Sequence, residues 1–538
     1  MAEWLGAGLQ NRLQQFESAR NLSKLRNKLT LSDFGAYFFS FLSVSYFHTF
    51  QITLPLTMKF RMIFFSLLAS LFGGHSALAQ TSVEDPRELV IYQVMVASFQ
   101  HAPDGAPGYS AMWGPDDATK NGNLRGIINS LDHISNLGAN ALWMTPIFDS
   151  STATGGEKLQ ATGYFTNDYF KIDPHFGSEA DLQELVDEAH KRGIHVILDG
   201  VFGHHGGVTT PSPKGHTIHS EWVFSDRGES GGKGNVVYPQ SLDYFKDLAT
   251  YYIDKYGIDG WRLDQAYQAM QNGHNYWTEL RASVDSISAA RKSRGENWGT
   301  LGYLVGEDWG TAEVINNGVY RDGGLISAFD FDGKERISGP MQELTSEGLE
   351  DGWEDVITVL SPPTSRGYLN DSVMPNLFLS NHDGYRLADH FDPADPYFYQ
   401  KLMTRHAILA AYSGPITLYY GDEYADMSRD SKGAQKDNIA RTTGHLQPRN
   451  EGEKALKDYI SAAMEFRKAN PALWRGTAQF ATVSPATGTN VLIVTKTDSE
   501  SGNIVAVVFS DADCELPFPL TGSTLKLKAW VPEFIKIK

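Results

Sequence analysis

Gly257-Ile258-Asp259-Gly260-Trp261-Arg262-Leu263-Asp264 reads as a short buried strand that ends in charge. Ile258, Trp261 and Leu263 are apolar, and glycines punctuate the run. Arg262 and Asp264 stand two residues apart, so the alternation of a strand puts a cation and a carboxylate on one face at its C-terminal end. Burying charge at the tip of an apolar strand is costly unless the charges pair or meet a substrate. A structural Arg–Asp pair is the plainer reading, and the rest of the chain chooses between the two.

The same arrangement recurs on both sides. Apolar runs at 89–96, 141–144, 194–199, 301–306, 325–329, 376–379 and 416–420 read as strands. Between them, 124–137 carries Leu124, Ile127, Ile128, Leu131, Ile134 and Leu137 at helical spacing. A second helix is expected over 178–192, capped by Ser178 with Asp181 at the capping-box position. Further helices are expected over 244–256, 397–412 and 454–468. Such β–α units predict an α/β fold, a parallel (β/α)8 TIM barrel spanning 80–202 and 241–470. In such a barrel chemistry collects where strands end. Asp199 closes the third strand, Arg262 and Asp264 the fourth and Glu307 the fifth, and His382-Asp383 follow the seventh. Random core charges would not recur at strand ends.

A Gly-, Ser-, Pro- and His-rich interruption at 203–240 is too long for an ordinary loop and reads as a short inserted subdomain at the barrel mouth. From 471 to 538 the pattern changes to alternating strands, which predicts a C-terminal antiparallel β-sandwich.

Composition narrows the function. The 538-residue chain has a net charge of −18, which argues against nucleic acid as a partner. It carries 11 Trp, 24 Tyr and 29 Phe, flat surfaces suited to sugars as well as to cores. Cys514 is the single cysteine, so there is no intrachain disulfide. Met58-Lys59-Phe60-Arg61, the apolar run 62–72 and Ala77-Leu78-Ala79 have the order of a secretory signal peptide over 58–79, cleaved before Gln80. The run is too short to span a bilayer. A periplasmic or secreted protein without a stable membrane anchor is therefore expected. Residues 1–57 then read as a non-native upstream extension with Met58 as the initiator; a membrane-anchoring extension is the alternative.

The motifs at the strand ends, in order, resemble those of the alpha-amylase family, glycoside hydrolase family 13. Asp199-Gly200-Val201-Phe202-Gly203-His204, Gly260-Trp261-Arg262-Leu263-Asp264, Gly306-Glu307-Asp308-Trp309 and Phe378-Leu379-Ser380-Asn381-His382-Asp383 are similar to its four signatures. Gly163-Tyr164-Phe165-Thr166-Asn167-Asp168-Tyr169 and Leu418-Tyr419-Tyr420-Gly421-Asp422-Glu423 add to the match. The resemblance implies that Asp264 is a nucleophile, Glu307 the general acid and base, and Asp383 a third carboxylate that grips sugar hydroxyls. It also implies that Arg262, His204, His382, Tyr164 and Asp199 form the substrate-binding surroundings, with Arg262 holding Asp264 ionised. Trp261 and Trp309 are expected to pack.

Departures from the family pattern concern specificity and metal. Gly203 stands where the family has Asn, and Tyr267-Gln268 where α-amylases continue with basic or imidazole side chains. Those family residues contribute to an interdomain calcium site, which is incomplete here because Gly203 has no side-chain oxygen to offer. No cofactor is called for, and a structural calcium stays open as an alternative. The chain is expected to lie closer to members acting on short oligosaccharides than to calcium-dependent endo-amylases. Its partner would be an α-glucan or oligosaccharide. Two alternatives stand beside this: a glucosyl-transferring or isomerising enzyme of sucrose or trehalose type, and a catalytically silent carbohydrate- or partner-binding barrel.

Overall fold

Seven parallel strands form one curled sheet in the computed structural model: β1 (Val90–Val94), β2 (Ala141–Met144), β3 (His195–Gly200), β4 (Gly260–Leu263), β5 (Tyr303–Gly306), β6 (Leu377–Phe378) and β7 (Ile416–Tyr419). Their order is β5-β4-β3-β2-β1-β7-β6. The described residues are 82–114, 120–153, 155–207, 210–224, 232–341, 353–428 and 438–538. The expected signal peptide and upstream extension lie outside them.

The two edges of this sheet are joined by 328–329. Ala328 bridges Gly306 and Phe329 bridges Asn376, both parallel, and so an eighth position closes the ring. The sequence predicts a full strand over 325–329; only these bridges form there. Leu325 instead turns back onto Val319, whose carbonyl accepts its N–H at 2.8 Å.

Alternation sorts the strand residues into two cores. Ile91, Ala141, Trp143, Ile197, Tyr303, Val305, Phe329 and Phe378 fill the barrel interior. Tyr92, Leu142, Val196, Leu198, Trp261 and Leu263 face outward and pack beneath the helices. Two residues beyond the interior residues Ile91, Ile197 and Val305 come Gln93, Asp199 and Glu307, so the interior turns from apolar to polar at the C-terminal mouth.

The helix Glu179–Lys191 has the expected capping box, with Ser178 and Asp181 bonding each other's backbone N–H. The long helix expected over 124–137 is two short ones, Leu124–Ile128 and Leu131–Asn136. Ser130 breaks it by donating its hydroxyl to the Gly126 carbonyl at 2.7 Å, competing with the helical ladder. The interruption after β3 holds a three-stranded antiparallel sheet of His204–His205, Gly232–Val236 and Ser220–Phe224.

The C-terminal part pairs Thr477–Val483, Val491–Thr497, Ile504–Ser510 and Glu533–Lys536 in one antiparallel sheet. Cys514–Phe518 pairs with Ser523–Leu527 in a second, and Val491, Val508, Leu516 and Phe518 pack between the two. Lys496 fastens this unit to the barrel. Its buried Nζ donates to Ala411 O, Ser413 Oγ and Leu473 O at 2.7, 2.6 and 2.5 Å, at the C-terminal end of the helix Phe398–Ala411.

Candidate active site

The site is built around the Arg262 guanidinium, fully buried at the end of β4. Its Nη1 donates to both oxygens of Asp199 at 3.0 and 3.1 Å and to Asp264 Oδ1 at 3.0 Å. Its Nη2 lies 2.8 Å from Glu307 Oε1. One cation thus gathers three carboxylates from three strands, which offsets the cost of desolvating it. The guanidinium also lies over the Trp143 ring, 5.0 Å from its centroid.

Each acid is held differently. Asp199 accepts from Arg262, from Trp143 Nε1 at 3.1 Å and from the Tyr164 hydroxyl at 2.9 Å, so protein donors surround both its oxygens. It sits behind the site as a support for Arg262 and Tyr164. Glu307 accepts at Oε1 from Arg262 and from Trp309 Nε1 at 3.1 Å, and at Oε2 from the Gln265 backbone N–H at 3.0 Å. Asp264 has Oδ1 on Arg262, while its Oδ2 is buried with no hydrogen-bond partner.

Burial pushes the Asp264 carboxyl well above the usual carboxylate range, with Glu307, Asp199 and Asp383 adding to that and Arg262 opposing it. Burial raises Asp199 to about 6 against the same guanidinium. Arg262 favours the Asp264 carboxylate, as expected, but divides that effect among Asp199, Asp264 and Glu307. One guanidinium shared among several buried acids cannot offset all of them.

Asp383 stands at the opening, nearest solvent of the four acids. Arg441 donates to its Oδ1 from Nη2 at 2.9 Å and to the His382 carbonyl from Nε at 3.1 Å. His382 is buried; Gln93 Nε2 donates to its Nδ1 at 2.8 Å, while its Nε2 faces the Tyr164 hydroxyl at 2.6 Å and Asp383 Oδ2 at 3.3 Å. Since Tyr164 already donates to Asp199, the His382 Nε2–H is the donor in that contact. Burial, then Arg441 and Arg262, hold the His382 imidazole well below its ordinary range, so it is neutral. The Tyr164 ring lies parallel to it, with centroids 5.4 Å apart. His204 is also buried, and burial lowers it to about 3. Its Nδ1 lies 3.1 Å from Gln268 Oε1.

All eight residues singled out from the sequence therefore fall in one neighbourhood, linked by a continuous hydrogen-bond network except for His204, which joins through Gln268 and Gln265. Four members were not foreseen. Trp309, expected only to pack, packs on Phe331 and also donates to Glu307. Gln265 and Arg441 gave no signal of their own. Gln93 was detectable as a polar residue on the inward face of a strand; Arg441 lies 58 residues from its partner.

The sequence from 93 to 226 and from 233 to 483 matches the family model described as the catalytic domain of alpha amylase. The chain belongs to the alpha-amylase family. It is thus a glycosidase, a hydrolase of O-glycosyl bonds. It is 26% identical over 461 residues to a cyclomaltodextrinase of Geobacillus thermopakistaniensis (strain MAS1), covering 81% of this chain and 71% of that protein. It is 31% identical over 265 residues to an intracellular maltogenic amylase of Bacillus subtilis (strain 168), covering 44% of this chain and 41% of that one. Among solved structures, AmyP in complex with maltose superimposes with a TM-score of 0.70 at 34% identity, covering 84% of this chain and 97% of that one.

The family's interdomain calcium does not fit these residues. A side chain at Gly203 would begin 1.9 Å from Gln268 Oε1 and 2.4 Å from Gln268 Cβ, so the place of the missing ligand is filled by another side chain.

Proposed function

We propose that this alpha-amylase family member is an exported retaining glycosidase that cleaves α-glucosidic bonds in malto-oligosaccharides or related α-glucans by double displacement. The observation that carries the reading is Asp264. One of its oxygens is held by Arg262; the other is buried and unbonded beside Glu307, as an attacking oxygen should be. A single guanidinium contacts both acids, at 3.0 and 2.8 Å, and so places them side by side as a retaining pair requires.

In the first step Asp264 Oδ2 attacks the anomeric carbon while Glu307 gives its proton to the departing glycosidic oxygen. This leaves a glycosyl ester on Asp264 and a free sugar hydroxyl. In the second step Glu307, now a carboxylate, takes a proton from water, whose oxygen displaces Asp264 and restores both acids. Asp383 holds sugar hydroxyls, His382 fixes the Tyr164 hydroxyl and Asp383 from behind, and Tyr164 offers its ring beneath the sugar. Names among the relatives, a cyclomaltodextrinase and a maltogenic amylase, support short or cyclic α-glucans as substrates. Export rests on the basic start, apolar run and small-residue site of 58–79.

Asp264→Asn and Glu307→Gln, assayed on maltotriose, cyclodextrin and soluble starch, should each abolish turnover. The initial product should keep the α configuration by NMR, and sucrose and trehalose should be left intact. Wild-type turnover in both variants, or inverted product, would overturn the mechanism. N-terminal sequencing of exported protein should read from Gln80.

A further inference from the structure

Gln265, Gln268 and Gln271 recur every third residue just beyond Asp264. Gln265 caps a 3-10 helix, Ala266–Ala269, that contains Gln268, and Gln271 lies in the short strand Met270–Gln271 that follows. Their amides make a chain of contacts to the interruption after β3. Gln268 Oε1 can only accept, so it takes the His204 Nδ1–H at 3.1 Å, and Gln268 Nε2 donates to Gln265 Oε1 at 2.9 Å. Gln271 Nε2 donates to Val236 O at 2.8 Å and to Gln268 O at 3.0 Å, and Gln271 Oε1 accepts from Tyr238 N at 3.0 Å. Gln265 Oε1 also accepts from the Tyr267 hydroxyl at 2.9 Å.

Gln265 itself is strained. Its φ of 41° and ψ of 53° lie in the left-handed region, which a non-glycine residue keeps only where its surroundings enforce it. That conformation aims its backbone N–H at Glu307 Oε2, 3.0 Å away. The side-chain bonds from Tyr267 and Gln268 hold Gln265 there together with the backbone bond from Gln268 N–H to the Gln265 carbonyl at 2.9 Å. Gly203 completes the arrangement, because any Cβ at that position would collide with Gln268.

We infer that these three glutamines form a clamp that stands in for an interdomain cation, tying the loop after β3 to the loop after β4 and fixing the Gln265 N–H on Glu307. The inference rests on Glu307 being the reacting acid and assigns Gln265 and Gln268 as positioning residues. It has two consequences. The fold around the site needs no calcium, and loosening the clamp disturbs the chemical step more than substrate binding.

The test uses the full chain. Thermal unfolding of the wild type should be unchanged by EDTA or by added calcium; a fall on EDTA that calcium reverses would overturn the clamp. Gln268→Met keeps the bulk and removes the bonds. Its kcat on maltotriose should fall about 10- to 100-fold with KM nearly unchanged, since small misplacements at a reacting centre are costly. Wild-type kcat in that variant would reduce the clamp to packing. Gln271→Ala should lower the melting temperature equally with and without EDTA, and an unchanged melting temperature would count against the clamp. These unfolding readouts need no turnover. An enzyme inactive on every α-glucan would sink the function proposed above and leave the clamp standing or falling on its own data.

Discussion

Arg441 Nη2 lies 2.9 Å from Asp383 Oδ1, so the fourth acid of the site has a cation of its own, separate from the Arg262 that serves the other three. Arg441 also donates from Nη1 to the Trp113 carbonyl at 3.3 Å and from Nε to the His382 carbonyl. It therefore sets both the position of Asp383 and the backbone that carries it. Arg441→Met should lower kcat/KM on maltotriose about 10- to 100-fold, or about 1.4–2.8 kcal/mol. Arg441→Lys, a point charge without the fork, should fall between. Steady-state kinetics of the two variants would show it; equal losses in both would mean that geometry alone matters.

Asp264 opposes stability. Burial raises its carboxyl in the folded state, so the unfolded chain gives up this proton first as pH rises. The folded protein then loses stability from the ordinary carboxylate range, near 3.9, up to the raised value. Asp264→Asn removes that titration and leaves Arg262 paired with Asp199 and Glu307. The variant should melt higher than wild type at neutral pH, with the gap closing below about pH 4, while kcat falls by about 10⁴-fold or more. Melting curves from acid to neutral pH give the answer; a variant less stable than wild type at neutral pH would contradict it.

Asp259, at the opposite end of β4, behaves in the reverse way. It is buried, but His195 at 2.9 Å and His190 at 2.8 Å outweigh burial and pull its carboxyl well below the usual range. The backbone N–H groups of Val196 and Gly299 also donate to it. Its stabilising contribution is present above the unfolded value, near 3.9, and is lost as pH falls through the folded one. Asp259→Asn should therefore cost most at neutral pH, about 2–3 kcal/mol, and progressively less below about pH 4. Denaturant midpoints across that range would show the two curves converging.

Lys496 carries the junction between barrel and terminal sheets. Lys496→Ala leaves the buried carbonyls of 411 and 473 and the half-buried hydroxyl of 413 without their donor and should cost about 2–3 kcal/mol. Its kcat should stay at the wild-type value, because the residue is remote from Arg262 and its acids. Urea denaturation together with an activity assay tests both halves.

The barrel and its acids were legible along the chain because strand alternation is local. Ile197 and Asp199, or Val305 and Glu307, announce an inward face that turns from apolar to charged within three residues. The capping box at Ser178 and Asp181 was legible for the same reason. The break at Ser130 was not, since its hydroxyl bond to Gly126 competes with a helix that the apolar spacing fully supports. Nor was the weakness of 325–329, where closure of the ring needs only two bridges.

The balance of charge inside the site depends on folding in a stronger sense. Reading along the chain pairs Arg262 with Asp264 alone, its neighbour two residues on. The closed barrel brings Asp199 and Glu307 to the same guanidinium and delivers Arg441 to Asp383 from a distant loop. How many acids share a cation, and how far burial outweighs it, depends on distances through space, and no order of residues states those.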